Sequence, residues 1–285
     1  MPERKLPRIV IFGATGHLGS QMVRRFHEAG HPIVSIGRKA ETLAALPGKH
    51  VQMNLAKDQN GSSFIRAHDI VINAVHVRYT SAIVQQCPND IERIIVIGST
   101  RYLSSIPDIA GDMVRSAARV LENGDLPWVL LHPTMIYGAA RENNVLRIAS
   151  LIRRFHIIPL PGGGRSLIQP IHAADVVEAV VRAAGKPGLK RAVIHLGGPD
   201  AIPYRAFLQA IAAASGSWVM VPPLPVSLLR LAAQLSAFLP GIPTIRDAEV
   251  LRLLEDKAVD VNEMKDILGF TPRPLEQGLA ETFAK

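Results

Sequence analysis

RIVIFGATGHLGSQMVRRF, Arg8 to Phe26, is the stretch on which the fold turns. Ile9–Phe12 is apolar at every position, as a strand covered on both faces of a sheet must be. The chain then turns at Gly13, and from Leu18 the apolar positions recur at helical spacing through Met22, Val23 and Phe26. Between strand and helix lies GATGHLG, Gly13–Gly19. Gly13 permits a tight turn, Gly16 lets backbone approach a pyrophosphate, and Gly19 lets the helix pack close to the strand. The helix N-terminus adds N–H groups and the positive end of a dipole. The motif predicts a dinucleotide site built from Gly13, Thr15, Gly16, His17, Leu18 and Gly19.

Outward from this unit the pattern repeats. The apolar runs PIVSI, HVQM, DIVINAV, RIIVIG and WVLLH alternate with helical patterns over Glu41–Leu46, near Ser62–Arg66, through Ile83–Val84 and over the stretch beginning at Ala110. That alternation predicts an α/β fold, a Rossmann-like doubly wound parallel sheet. After Pro133 the order loosens. Loops such as IPLPGGGRS and GGPDAIP alternate with helices over Ala173–Ala184, Tyr204–Ala214, Ala248–Glu255 and Leu275–Phe283. The expected organisation is a nucleotide-binding domain, 1–135 with about 170–197, interleaved with a small, mainly helical substrate lobe, 136–169 and 198–285. No internal repeat interrupts it.

Composition narrows the function. The 285 residues carry a formal net charge of +8, yet the cations are scattered and only 5% of residues are aromatic. That excludes a stacking platform for nucleic acid and favours a small phosphate-bearing ligand. Cys87, the single cysteine, rules out an internal disulfide and fits a reducing compartment, the cytoplasm, with a structural role. The charged N-terminus runs straight into a strand, unlike a signal peptide, and no apolar run reaches a membrane span. Leu224–Pro243 comes nearest; it reads as a helix packed on the core, with a membrane or partner contact as the alternative. Monomer and dimer both remain open.

The second strand ends in Ser35-Ile36-Gly37-Arg38-Lys39. An NAD-specific site wants a carboxylate here for the ribose hydroxyls. Gly37 stands in that place, followed by two cations suited to a 2′-phosphate, so NADP(H) is favoured over NAD(H).

Gly13-x-x-Gly16-x-x-Gly19, Asn73-Ala74 after the fourth strand and Gly98-Ser99-Thr100 after the fifth resemble the extended or atypical short-chain dehydrogenases/reductases. HPTMIYG (His132–Gly138), PIHAADVVEAV (Pro170–Val180) and LGFTPRPLEQGLAE (Leu268–Glu281) are similar to further segments of that family. The nearest flavour is the NAD-dependent epimerase/dehydratase group, itself similar to the dinucleotide-binding accessory subunit of respiratory complex I. The resemblance implies that Asn54 and Leu55 edge the adenine, that Asn73, Ala74 and Val75 line the ribose and pyrophosphate, and that Pro133, Thr134 and Met135 border the nicotinamide. Asp175 reads as an N-cap and His172 as a support for that corner.

The same resemblance implies a Tyr and a Lys one helical turn apart on the helix after the fifth strand. Gly111 and Arg115 occupy those positions, and Leu103–Trp128 contains neither Tyr nor Lys. Arg115 retains a cation for the ribose, but glycine transfers no proton. The candidates left for substrate chemistry are Ser99 and Thr100, which would hold the substrate oxygen, and Tyr102, Tyr137 and His76 as proton donors. Two functions remain open: an NADPH-dependent reductase or epimerase-like enzyme acting on an unidentified small molecule, or a non-catalytic NADP(H)-binding sensor or scaffold protein.

Overall fold

A computed structural model describes residues 6–58, 64–138, 144–229 and 247–284. The first half alternates strand and helix: β1 Ile9–Phe12, α1 His17–Glu28, β2 Ile33–Gly37, α2 Ala40–Ala44, β3 Lys49–Gln52, β4 Ile70–Asn73, α3 Thr80–Val84, β5 Arg93–Ile97, α4 Ile109–Glu122 and β6 Trp128–Pro133. Short strands β7 Ile136–Tyr137, β8 Leu160–Pro161, β9 Leu167–Ile168 and β10 Ile171–His172 follow, with α5 Asn144–Phe155 between the first two. Helix α6 Ala173–Gly185 then leads to β11 Ala192–Leu196, β12 Ile202–Pro203, α7 Tyr204–Ala214 and β13 Pro223–Leu224. Helices Asp247–Arg252, Asn262–Leu268 and Leu275–Phe283 end the chain.

Seven strands form one parallel sheet in the order β11-β6-β5-β4-β1-β2-β3. β1 pairs with β2 on one side and β4 on the other, Ile9 standing beside both Ile33 and Ile70. The chain winds away from β1 in both directions, so a crevice opens above its carboxyl end. Alternating residues supply the two faces. Ile9 and Ile11 pack with Met22 of α1 and Val176 and Val180 of α6, whereas Val10 and Phe12 pack with Val114 and Leu121 of α4. Each such fully buried aliphatic side chain contributes about 1.5–3 kcal/mol. A third apolar cluster, including Tyr137, Val145, Ile152, Phe207, Ile211 and Leu279, lies in the later elements.

Several expectations change. Asp175 does not cap α6: His172 does, its Nδ1 accepting from Ala174 N at 3.2 Å. Asp175 sits inside the first turn and pairs with Arg273 Nε at 3.1 Å, tying α6 to the segment before the last helix. The helix expected over Ala248–Glu255 covers Asp247–Arg252. α5, β11 and Asn262–Leu268 have no counterpart among the elements read from sequence. Of the helix expected near 62–66, residues 62 and 63 fall outside the described residues and 64–66 form no α-helix; most of the Leu224–Pro243 stretch also falls outside them. No helix among the described residues is long and apolar enough to cross a membrane.

Candidate functional site

The glycine loop is shaped by close backbone approaches. Gly13 has φ +83°, and a Cβ there would stand 2.9 Å from Ala74 O. At Gly19 a Cβ would stand 2.1 Å from Gly13 O, so α1 meets the loop at a distance that only glycine tolerates. Gly16 caps α1 in extended conformation, and its N–H donates back to Gly13 O at 2.9 Å. Thr15 and Gly16 open onto a cleft of about 420 Å³ whose walls also include Gly37, Arg38, Asn54, Leu55, Ala74, Val75 and His76. His17 lies in the first turn of α1 beside Gln21, and Leu18 packs against the sheet core beneath.

Gly37 leaves no room for the acid of an NAD-type site without crowding. A Cβ there would lie 3.1 Å from Thr15 Cγ2 and 3.2 Å from Leu43 Cδ2. Arg38 lines the cleft and is exposed, while Lys39, one residue later, stands at the N-cap of α2 outside the lining. Asn54 accepts from Ala56 N through Oδ1 at 3.2 Å and donates its own N–H to Asp58 Oδ2 at 2.7 Å, which fixes the Asn54-Leu55 wall.

Asn73, expected at the ribose, is not on the cleft wall. It is buried; its Nδ2 donates to Thr80 Oγ1 at 3.1 Å and its Oδ1 accepts from Val75 N at 3.1 Å. Its work is to hold the turn that presents Ala74 and Val75. Past Val75 and His76 the cleft continues into a hollow of about 250 Å³ floored by Ile97, Gly98 and Ser99 and bordered by Arg101. His76 stands at the junction. Its Nδ1 accepts from the backbone N–H of Arg78 at 3.3 Å, so in the neutral ring the proton sits on Nε2.

The remaining candidates are placed elsewhere. Ser99 Oγ accepts from Arg101 N at 3.2 Å, starting the 3-10 turn Thr100–Leu103, and Thr100 Oγ1 donates to Pro133 O at 3.4 Å. Tyr102 is turned from the hollow toward the sheet edge, its hydroxyl 2.8 Å from His195 Nε2 and its ring 4.5 Å from that of His132. Burial raises its pKa. Tyr137 is buried against the helix Leu275–Phe283, its hydroxyl donating to Leu275 O at 3.5 Å, and burial followed by the Asp175 charge raises its pKa. Neither tyrosine lines the cleft. Pro133, Thr134 and Met135 do not line it either; they tie β6 to its neighbours, with Thr134 N donating to Leu196 O at 2.8 Å, Thr134 Oγ1 to Gln169 O, and Ile171 N to Met135 O at 3.0 Å.

Arg115, expected at the ribose, does not line the cleft either. Its Nη1 donates to Tyr102 O at 2.6 Å and its Nη2 to Asp112 Oδ1 at 2.6 Å. Gly111 is closed to a side chain, because a Cβ there would stand 2.9 Å from Arg101 O. The 3-10 turn therefore lies over the place where a relay tyrosine would stand. Behind it His132 accepts from Ser99 N through Nδ1 at 3.1 Å, and burial, then the charge of His195, lowers its pKa to about 4. Sequence reading missed Arg78 and Tyr79 on the cleft wall, two and three residues after His76, and the partner role of His195. Among the described residues no group of three or more His, Cys, Asp and Glu is placed to hold a metal ion.

The chain is 24% identical over 216 residues to the Arabidopsis thaliana mitochondrial NADH dehydrogenase [ubiquinone] 1 alpha subcomplex subunit 9, covering 67% of this chain and 53% of that protein. It thus spans about half the length of that curated relative. Among solved structures, MoeE5 in complex with UDP-glucose and NAD superposes with a TM-score of 0.72 at 18% identity, covering 97% of each chain. The Bacillus cereus UDP-glucuronic acid 4-epimerase, in complex with UDP-glucuronic acid and NAD, gives 0.72 at 15% identity over 97% of this chain and 98% of that one. Likeness at such identity establishes the Rossmann-like fold. The family model for NAD(P)H-binding proteins matches residues 13–187, from the first glycine of the loop to two residues past α6, and the chain belongs to that NAD(P)H-binding family.

Proposed function

We propose that the protein is an NADP(H)-dependent oxidoreductase or epimerase-like enzyme working without the Tyr–Lys relay. The observation that carries the cofactor preference is the end of β2: Arg38 lines the cleft, and Gly37 offers no carboxylate and is crowded by Thr15 and Leu43. Arg38, with Lys39 beside it, meets the 2′-phosphate; Gly13–Gly19 cradles the pyrophosphate; and Asn54 and Leu55 flank the adenine. The nicotinamide end extends past Val75 toward Ser99. The bound cofactor supplies or accepts the hydride. His76 Nε2–H is the protein donor best suited to the substrate oxygen. It hydrogen-bonds that oxygen as charge develops there, and water delivers the proton. Tyr102 and Tyr137 take packing roles in this reading. The division into a nucleotide-binding part, 1–135 with about 170–197, and a substrate lobe, 136–169 with 198–285, draws support from the separate apolar cluster of the later elements, although Val261, Met264 and Leu268 of the second part pack with the sheet core. The single, half-buried Cys87 fits the reducing cytoplasm.

A second reading, a non-catalytic NADP(H) sensor or scaffold, draws support from the closed Gly111 position and the engaged Arg115. NADPH oxidation against aldehydes, quinones and sugar nucleotides separates the two. The enzyme reading expects turnover that falls about 10²-fold in His76→Ala and is unchanged in Tyr102→Phe and Tyr137→Phe. Absence of turnover with every substrate class, alongside tight NADPH binding, favours the sensor.

A further inference from the structure

The later elements carry a surface whose chemistry is unlike that of the cleft. α5 ends at Phe155, the chain reverses through His156 at φ +54°, and it then runs beside Trp218–Met220. His156 stacks on Trp218 at 4.6 Å and its Nδ1 donates to Trp218 O at 3.1 Å. Met220 N donates to His156 O at 2.8 Å, and Ile158 N to Met220 O at 3.0 Å. Strand alternation sends Val219 inward and Trp218 and Met220 outward, with Ile157 bridged to Met220. Phe155, Ile157, Trp218 and Met220 are 55, 51, 58 and 57% exposed, so four large apolar side chains in adjoining segments face outward together. Scattered exposed hydrophobics need no explanation, whereas a contiguous patch marks a contact surface.

The charges on the segments that carry it have one sign. Arg153 and Arg154 are exposed at the end of α5, and the Arg154 guanidinium lies 5.1 Å over the Phe155 ring. The sequence has no Asp or Glu in 144–174 or in 201–246, the stretches that contain both halves of the patch.

We propose that this face docks on the surface of an anionic phospholipid bilayer. Trp218, Phe155, Ile157 and Met220 enter the headgroup–acyl boundary while Arg153 and Arg154 pair with lipid phosphates, a division of labour suited to aromatic and apolar side chains rimmed by arginine. A second copy is the poorer occupant: two such faces meeting would bring arginines toward arginines with no carboxylate in these stretches to neutralise them.

The two tryptophans make the test direct, because Trp128 is 5% exposed in β6 and Trp218 is 58% exposed. The full chain is titrated with vesicles of phosphatidylcholine alone and of phosphatidylcholine with phosphatidylglycerol, followed by tryptophan emission and co-sedimentation. The expected result is a blue shift and sedimentation with the anionic vesicles, both weakened by salt. Trp218→Phe should still sediment but lose the shift. Arg153→Glu with Arg154→Glu should lower the bound fraction about tenfold or more, while NADPH affinity stays unchanged as the check on folding. Absence of binding to anionic vesicles overturns the proposal, as does equal binding to neutral ones or by the Arg153→Glu, Arg154→Glu variant. Concentration-dependent dimerisation that shifts Trp218 emission without vesicles also overturns it, in favour of a second copy.

Discussion

His132 lends itself to a worked prediction. Only 2% exposed at the end of β6, it has its Nδ1 lone pair occupied by the Ser99 amide, so protonating that nitrogen would break the hydrogen bond and charge a buried ring. Burial and His195 hold its pKa at about 4, against an ordinary value of 6.5. The unfolded chain takes up this proton as the pH falls through 6.5; the folded chain resists until about 4. The contribution of the neutral ring is therefore complete above 6.5 and is lost as the pH falls toward 4. With about 1.36 kcal/mol for each pKa unit, acidification from pH 7 to 5 costs about 2 kcal/mol, and the loss levels near about 3 kcal/mol below pH 4. His132→Asn keeps an acceptor for Ser99 N and removes the titration. Its smaller side chain lowers stability similarly at every pH. Urea unfolding at pH 7, 6 and 5 should show the gap between the two proteins shrinking by about 2 kcal/mol from pH 7 to 5. Parallel pH profiles would refute the argument.

Gly19→Ala places a methyl 2.1 Å from Gly13 O, so α1 must lift from the loop; the expected result is a loss of about 1–3 kcal/mol in unfolding free energy together with most cofactor affinity. Gly111→Tyr should lower the melting temperature and leave NADPH oxidation no faster, since the new Cβ meets Arg101 O at 2.9 Å; a gain in turnover would show that the 3-10 turn yields. Cys87, its thiol pushed up to about 12 by burial and by Asp69, should react slowly with a disulfide reagent at pH 8 in the native protein and at once in urea.

The nucleotide half was legible because its signals are local. A continuous apolar run such as Ile9–Phe12 can only be buried on both faces, and the glycines at positions 13 and 19 have a steric reason visible in the backbone contacts. α5 carries a weaker local signal: Val145, Ala149 and Ile152 recur at helical spacing and are buried, but the exposed Leu146, Leu151 and Phe155 blur the stripe. β11 escaped because its inward and outward residues, Ile194 and His195, acquire their meaning from β6 beside it. The chemistry was less legible than the cofactor cleft for the same reason. The sequence shows the lack of a Tyr–Lys pair directly, but nothing local says that Tyr102 reaches His195, 93 residues away, or that Arg115 closes on Tyr102 O. Asn73 shows how a residue in the expected position acts through the turn it holds.

The central claim is that NADP(H) occupies the glycine-loop cleft with its 2′-phosphate on Arg38. Isothermal titration of NADPH and NADH into the unmodified protein and into Arg38→Ala tests it most directly. A charge-assisted contact of about 1.5–3 kcal/mol predicts NADPH binding at least about tenfold tighter than NADH, with most of that preference erased in Arg38→Ala and NADH affinity little changed. Equal affinities for the two cofactors in the unmodified protein, or a preference that survives Arg38→Ala, would contradict the account.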